Sequence, residues 1–385
     1  MKRDRKKCFS TVKRLVVKVG SNILTKDNGL NLDVIRSVSR QICCLIDDGL
    51  EVLLVSSGAM AAGIKRLGLP KRPDDIPGRQ AAAAVGQAGL IMEYENAFEQ
   101  YGKKVAQLLL TSDGLISRKR YLNARNTLHT LLSWGVVPII NENDTVSVEE
   151  IKFGDNDNLS AMITLLMDAD MLVNLTDIDG LYNKDPRTCQ DAELIPEIST
   201  IRKNIEKFAG DIPGALGTGG MLAKIKAARK VTMAGTPMII AKGDKPDILM
   251  RLYAGEAHGT FFVPKKERLK NRKCWIGFNL KPKGLIYIDK GAADAVLERG
   301  KSLLPSGIVG VEGEFGVGAP VEFKNGDSEI LGTGLVNYSS ADIRRIMGLR
   351  TNEIKKLLGE KPYDEVIHRD NLAVTGEMAG LIGYR

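Results

Sequence analysis

Two lysines and the glycines beside them are the first residues in this sequence that could do chemistry. Lys18 lies inside the apolar run Leu15-Val16-Val17-Lys18-Val19, directly before Gly20-Ser21-Asn22. An ammonium among Val16, Val17 and Val19 is costly to bury unless it reaches the strand end and meets an anion. The alternative is an edge-strand lysine that reaches water. Residues 217–224 read GTGGMLAK. Here Gly217, Gly219 and Gly220 precede a helical pattern, where backbone N–H groups can approach a phosphate and the helix dipole favours it. Lys224 follows about one turn in, within reach of the same anion. Glycine-rich turns before helices are common, so this string has force only in combination.

The densest polar stretch is NENDTVSVEEIKFGDNDNLS at 141–160, directly after the apolar run Val136–Ile140. Asn141, Glu142, Asn143, Asp144, Asp155, Asn156, Asp157 and Asn158 could recognise a polar zwitterion or cap the following helix. Capping needs only one of them. Ser57-Gly58 ends a second apolar run and offers a hydroxyl and N–H groups suited to a carboxylate. Thr176-Asp177 ends another, and Asp185-Pro186-Arg187 follows in the next loop. Two lysines and glycine-backbone donors for phosphates, with carboxamides and carboxylates for a small polar substrate, spell phosphoryl transfer. In that chemistry a protein mainly positions groups and stabilises charge. An acceptor that is itself a carboxylate is already ionised at neutral pH and needs no general base.

Other chemistries are disfavoured. There is no GxxxxGK[ST] string and no HRD/DFG set. His129, His258 and His368 are the only histidines, and none lies near a Ser or Cys in a glycine-rich elbow, so a histidine-based triad is not supported. The five cysteines form no CxxC pair or zinc-type cluster, and read as thiols of a reducing compartment, the cytoplasm.

These residues need a scaffold, and the sequence outlines one. Strand-like runs near 15–19, 51–55, 104–110, 136–140, 171–175 and 237–241 alternate with helical patterns near 31–48, 59–67, 78–100, 120–133, 157–167 and 220–234. Such alternation predicts an α/β fold, a mostly parallel sheet sandwiched by helices, with ligands at the carboxyl ends of the strands. The polar and glycine-rich strings sit at those ends. After Pro264 the texture changes: residues 265–273 (KKERLKNRK) read as a linker. From 279 short alternating runs with many glycines predict a small β-rich barrel, with a helix at 291–299. The expected division is a basic lead at 1–14, a first domain at 15–264, a linker at 265–278, a second domain at 279–362 and a tail at 363–385.

A chain of 385 residues suits two domains, and 43% hydrophobic with 26% charged residues excludes bulk disorder. No apolar run approaches the ~18–20 residues of a membrane helix. The net charge of +8 is concentrated in residues 1–14, which hold seven basic side chains and one acid. The near-neutral remainder gives no electrostatic case for bulk nucleic-acid binding. The lead lacks the apolar stretch of a signal peptide and reads as a solvated tail.

VVKVGSN at 16–22, VSSGAMAAG at 55–63, GRQAAAAVGQ at 78–87, INENDTV at 140–146, FGDNDNLSA at 153–161, LTDIDGLY at 175–182 and GTGGMLAK at 217–224 together resemble the glutamate 5-kinases, within the amino-acid kinase family. Residues 281–350, with ERGKSLLPSGI, resemble a PUA domain. The resemblance implies transfer of the ATP γ-phosphoryl group to the side-chain carboxylate of L-glutamate, at the entry to proline synthesis. It implies that Lys18 and Lys224 stabilise the transferring group and that Asp157 orients both ammonium groups. Ser57, Asp144 and Asn156, with Asn141, would bind glutamate, and Asp144 could counter its α-ammonium. Thr176, Asp177, Thr218, Gly219, Gly220, Met221, Leu222, Ala223 and Lys224 would bind ATP. Mg2+ is expected on the phosphates, with no protein ligand assigned. A homo-oligomer (dimer or tetramer) and handover of product to the next enzyme are expected by family, and a membrane partner is not. The alternatives are a kinase of a related small carboxylate, a PUA-containing RNA-binding protein, or a catalytically dead regulatory relative.

Overall fold

The computed structural model describes residues 5–26, 29–112, 114–116, 118–146, 156–201, 220–265, 276–277, 280, 282–326, 329–359 and 362–374. The chain divides into two compact units, Met1–Lys266 and Glu267–Arg385.

The first unit is built on one eight-stranded sheet. Its strands are β1 (Arg14–Val19), β2 (Glu51–Ser56), β3 (Lys104–Leu110), β4 (Val136–Glu142), β5 (Met171–Thr176), β6 (Glu197–Ile198), β7 (Met238–Lys242) and β8 (Thr260–Phe262). They lie in the order β3-β4-β2-β1-β5-β7-β8-β6, with every pair parallel except β7 with β8. Parallel strands are covered on both faces, and the apolar runs of β1, β2 and β5 are buried accordingly. Lys18 therefore sits in an interior strand, with Val55 and Asn174 as its register partners on either side. The edge-strand alternative for this lysine is excluded.

Helices α1 (Leu32–Asp47), α2 (Ala59–Arg66), α3 (Ile76–Glu99), α4 (Arg118–Ser133), α5 (Asn156–Leu166) and α6 (Met221–Met233) supply the cover. On one face, Val34, Ile35, Val38, Ile42 and Leu45 of α1 share a core with Leu90, Tyr94 and Phe98 of α3. On the other, Leu159, Ile163 and Leu166 of α5 pack with Ile225, Ala228 and Val231 of α6. Asp75 starts α3 by accepting a hydrogen bond from the Gly78 amide at 2.9 Å. Helix α1 presents the apolar stripe that its sequence spacing predicts, whereas α5 is buried almost all round.

The lead departs from expectation. Its described part is not a solvated tail: helix Arg5–Phe9 is docked on the first unit, with Phe9 and Val12 buried. Phe9 meets the Tyr253 ring edge to face, at 6.4 Å between centroids. Basic composition misled here because the apolar Phe9 and the docked Arg5 decide the outcome, while Lys6 and Lys7 stay exposed.

The second unit carries a five-stranded sheet of β9 (Leu285–Ile288), β10 (Ile308–Glu312), β11 (Pro320–Lys324), β12 (Ile330–Leu335) and β13 (Leu372–Val374), in the order β10-β9-β11-β12-β13. Only β9 and β11 run parallel. The helix expected at 291–299 spans Lys290–Leu297, with Asp289 accepting from the Ala292 amide at 2.7 Å. The boundary expected at 362 falls too early. Val366 and Ile367 are core residues, and β13 completes the sheet against β12. That strand is three residues long, too short to show an alternation in sequence. The expected linker at 265–278 lies almost wholly outside the described residues, as does the tail beyond 374.

One packing detail bears on the site directly. A Cβ at Gly86 of α3 would lie 1.7 Å from the Ala59 carbonyl oxygen, and one at Gly63 of α2 would lie 1.7 Å from that of Ala82. The two helices thus touch backbone to backbone, as only glycine permits. Gly89, on the same helix as Gly86, has nothing within 4 Å of its Cβ position. Gly86→Ala is expected to lower unfolding free energy by about 1–3 kcal/mol, since the clash is with backbone and the helices must separate. Gly89→Ala should be neutral or stabilise by up to about 1 kcal/mol. Chemical denaturation of the two variants side by side measures both.

Candidate active site

The site is assembled at the carboxyl ends of β1, β2, β4 and β5 and the first turns of α5 and α6. Its centre is Asp157, in the first turn of α5 and 1% exposed. Lys18 Nζ lies 2.6 Å from Asp157 Oδ1, and Lys224 Nζ lies 3.0 Å from Oδ2. The Asn174 side-chain amide donates to Oδ1 at 2.7 Å. Both lysines are buried, at 4% and 6% exposure. Burial alone would raise the Asp157 pKa. The two ammonium groups and the Asn174 amide overcome that and hold the carboxyl well below the usual carboxylate range. The carboxylate is thus ionised at neutral pH and aligns two cations from different elements.

Strand geometry explains how Lys18 reaches this point. It is the penultimate residue of β1, and its partner Asn174 occupies the same level of β5. Gly20 follows, its amide donating to Leu175 O at 2.9 Å. A Cβ at position 20 would stand 3.3 Å from that carbonyl oxygen and 3.6 Å from Lys18 Nζ, so a side chain there would crowd the ammonium. Lys224 comes from the first turn of α6, whose cap Gly220 is extended at φ −64° and ψ 179°. Met221, Leu222 and Ala223 complete that turn, while Thr218 and Gly219 lie outside the described residues.

A second cluster lies one residue away along α5. The Asn156 amide nitrogen donates to Ser57 Oγ at 2.9 Å, to Asn141 Oδ1 at 3.0 Å and to Ser56 O at 3.1 Å. Asn141 Oδ1 also accepts from the Glu142 amide at 2.9 Å. Ser57, Asn141 and Asn156 are therefore brought together. Gly58, next to Ser57, has φ +103°, in the left-handed region that favours glycine, and opens α2. Ser56 holds the floor of the cluster by a 2.9 Å bond to the buried Tyr94 hydroxyl.

Asp144 begins the short 3-10 turn Asp144–Val146 just beyond β4 and is buried. Burial pushes its carboxyl up to about 6, with the positive charge of Arg72 pulling the other way. Thr176 and Asp177 end β5. The Thr176 hydroxyl donates to Asp177 Oδ1 and the Asn22 amide to Oδ2, both at 2.9 Å. Burial opposes ionisation of Asp177, and these bonds with the Lys224 charge prevail, lowering its pKa.

Some singled-out residues fall elsewhere. Asp185 and Arg187 pair with each other at 2.9 Å, and the Arg187 charge also feels that of Asp177. Asn158 turns to Ser112 and Lys230, tying α5 to α6. Asp155 lies outside the described residues. Asn174, Asn22 and Arg72 were not singled out by sequence reasoning for these contacts. For Asn174 a signal existed: a carboxamide inside the wholly buried strand Met171–Thr176 needs a polar partner.

The donor set bears on metal binding. Among the described residues no three His, Cys, Asp or Glu side chains gather as a metal site. Both Asp157 oxygens are already committed to ammonium groups and an amide. The described residues do not fit a dedicated protein-held metal.

The arrangement can neutralise a phosphate with two aligned ammonium groups beside a pocket of carboxamides, a hydroxyl and a carboxyl. Comparison with known proteins shows the family. The description of the amino acid kinase family matches residues 13–242, and that of the PUA domain residues 284–358. A glutamate 5-kinase of Syntrophus aciditrophicus is 50% identical over 374 residues, covering 97% of each chain. One from Geobacter sulfurreducens is 52% identical over 367 residues, 95% of this chain and 98% of that protein. One from Caldanaerobacter subterraneus is 50% identical over 362 residues, 94% and 97% respectively. With a family model over most of the first unit and relatives about half identical over nearly the whole chain, this chain belongs to the amino acid kinase family, on its glutamate 5-kinase branch, and carries a PUA domain.

Proposed function

We propose that this protein transfers the γ-phosphoryl group of ATP to the side-chain carboxylate of L-glutamate, giving L-glutamyl 5-phosphate for proline synthesis. The observation that carries this reading is the buried Lys18–Asp157–Lys224 arrangement beside the Ser57–Asn141–Asn156 cluster. Lys18 and Lys224 would meet the charge that spreads over the phosphoryl oxygens, and Asp157 keeps both ammonium groups aligned before substrate arrives. Thr176, Asp177 and residues 218–224 would hold the nucleotide. Ser57, Asn156 and Asn141 would bind glutamate, and ionised Asp144 would counter its α-ammonium. Mg2+ would arrive on the ATP phosphates and be held chiefly by them, where it supplies further charge neutralisation.

No proton need leave the acceptor, because the glutamate side chain titrates near 4.3 and is a carboxylate at neutral pH. This fits a site whose central acid is tied up by lysines and therefore is no general base. The reading extends to a cytoplasmic homo-oligomer that passes its labile product to the next enzyme. Among the described residues Cys43, Cys44 and Cys189 form no disulfide, which supports a reducing compartment. Among the described residues no helix is long and apolar enough to cross a membrane.

Incubation with ATP, Mg2+ and hydroxylamine should yield a hydroxamate from L-glutamate and little from N-acetylglutamate or aspartate. Signal with another acid alone would overturn the substrate, and none from any acid would overturn the reaction. Lys18→Ala should lower kcat by about 10²–10³-fold, the scale for losing one preorganised donor to a developing oxyanion. Circular dichroism would confirm that the variant is folded.

A pH profile tests Asp144. Above about 6 its carboxyl is ionised and able to meet an ammonium group. As pH falls through that value the counter-charge is lost. The kcat/KM for glutamate should therefore drop by about tenfold per pH unit on the acid side of 6. Asp144→Asn should flatten this limb and raise the KM for glutamate by about ten- to a hundredfold. A limb that persists in the variant would assign the titration elsewhere.

A further inference from the structure

The basic lead is absorbed by neither catalysis nor solvation, yet one of its charges is built into the fold. Arg5 is 8% exposed. Its Nη1 donates to His258 O at 2.8 Å, and its Nη2 donates to Pro196 O and, at 3.5 Å, to Gly259 O. Its guanidinium carbon stands 5.6 Å from the centre of the Phe261 ring. Its hydrogen-bond partners are backbone carbonyls, so the guanidinium acts as a fork that fixes chain segments, with the Glu197 charge favouring its ionised form. The lead reaches this place through a close approach only glycine allows. Gly255 has φ +88°, and a Cβ there would lie 2.6 Å from Lys6 Cβ.

Two of these carbonyls directly precede Thr260, the first residue of β8, and the third, that of Pro196, also accepts from the Phe261 amide just after it at 3.0 Å. Thr260 is fully buried, and its hydroxyl accepts from the Leu181 amide at 2.8 Å while donating to Ile195 O at 2.7 Å. A Cβ on Gly180 would lie 2.5 Å from the same hydroxyl oxygen. The segment thus pinned, Ile178 to Leu181, leads directly from Thr176-Asp177. It is held further by Gly243, whose amide donates to Thr176 O at 2.8 Å, and by an ion pair of Asp179 with Lys245. A continuous set of contacts therefore runs from Arg5 through the backbone at 258–260 to the turn beyond β5.

We infer that Arg5 is a positioning residue for nucleotide binding, acting through Thr260 on the turn that follows Thr176-Asp177. This rests on the assignment of Thr176-Asp177 to the nucleotide. The basic lead is then an intramolecular clasp for the nucleotide half of the site. The glutamate half, built on β2, β4 and α5, lies outside its reach.

The test uses the full chain with Arg5→Ala, Arg5→Lys, Thr260→Val and Thr260→Ser. Calorimetry with Mg2+ and a non-hydrolysable ATP analogue reads nucleotide affinity directly, and steady-state assays give the KM for ATP and for glutamate. Arg5→Ala and Thr260→Val should each weaken nucleotide affinity about three- to tenfold, the fold-change expected from about one hydrogen bond. The KM for glutamate should stay within about twofold, with Arg5→Lys and Thr260→Ser restoring part of the loss. The double variant should lose less than the product of the single losses, because both act on one turn. If Arg5→Ala does not fold, the Thr260 pair alone decides. Unchanged nucleotide affinity in folded Arg5→Ala or Thr260→Val, or equal rises in both KM values, would overturn the inference while leaving the kinase reading intact. Failure of the unaltered protein to bind the analogue would overturn both.

Discussion

The proposed chemistry of this protein depends on one carboxylate kept ionised where water is excluded. Asp157 is nearly inaccessible, and an isolated charge in such a place would be neutralised rather than tolerated. Lys18, Lys224 and Asn174 make its ionised form the stable one. The converse holds for the lysines, whose ammonium groups are tolerable indoors because the carboxylate is there. Neither lysine could be brought in from solvent for the occasion. The cluster instead exists before any ligand, which is what electrostatic preorganisation requires.

The fold serves that carboxylate from several directions. β1 carries Lys18 to the strand end, β5 supplies Asn174 at the same level, and α5 and α6 deliver Asp157 and Lys224 in their first turns. Successive helical residues point about 100° apart. Asn156 and Asp157 therefore share one turn yet serve different neighbours: the first meets Ser57 and Asn141, the second the two lysines. A single peptide bond separates the carboxamide cluster from the lysine pair. The bond between Lys230 and Asn158 fixes α6 to α5 a little further along, so the two helix starts keep their spacing.

Much of this was legible in the residues. The alternation of apolar runs with 3.6-periodic segments marks the strands and helices because each strand must be covered on both faces and each helix on one. Lys18 announced itself as a charge where only apolar side chains belong. What was hidden has a common physical character. The partnership of Asp157 with Lys18 and Lys224 was reached only through the family resemblance, because it spans positions far apart in sequence and spacing along a chain cannot show which side chains meet. Asn174 was missed because a lone amide in a strand invites no role until its neighbour is known. The lead was misread because its charge was counted and the burial of Phe9 and Arg5 was not. The end of the second unit was misplaced because β13 is too short for a pattern.

The contact between α2 and α3 has a mechanical side. Ser57 passes through Gly58 directly into α2, and α2 is pressed on α3 where no side chains intervene to slide or repack. Side chains at a helix interface act as bearings. With none between them, the two helices have no soft direction in which to shear. The Ser57 backbone is thereby coupled, through α2, to the 24-residue helix Ile76–Glu99. One wall of the proposed acceptor pocket thus behaves as a fixed datum, against which any movement of the turns proposed to hold the nucleotide is registered.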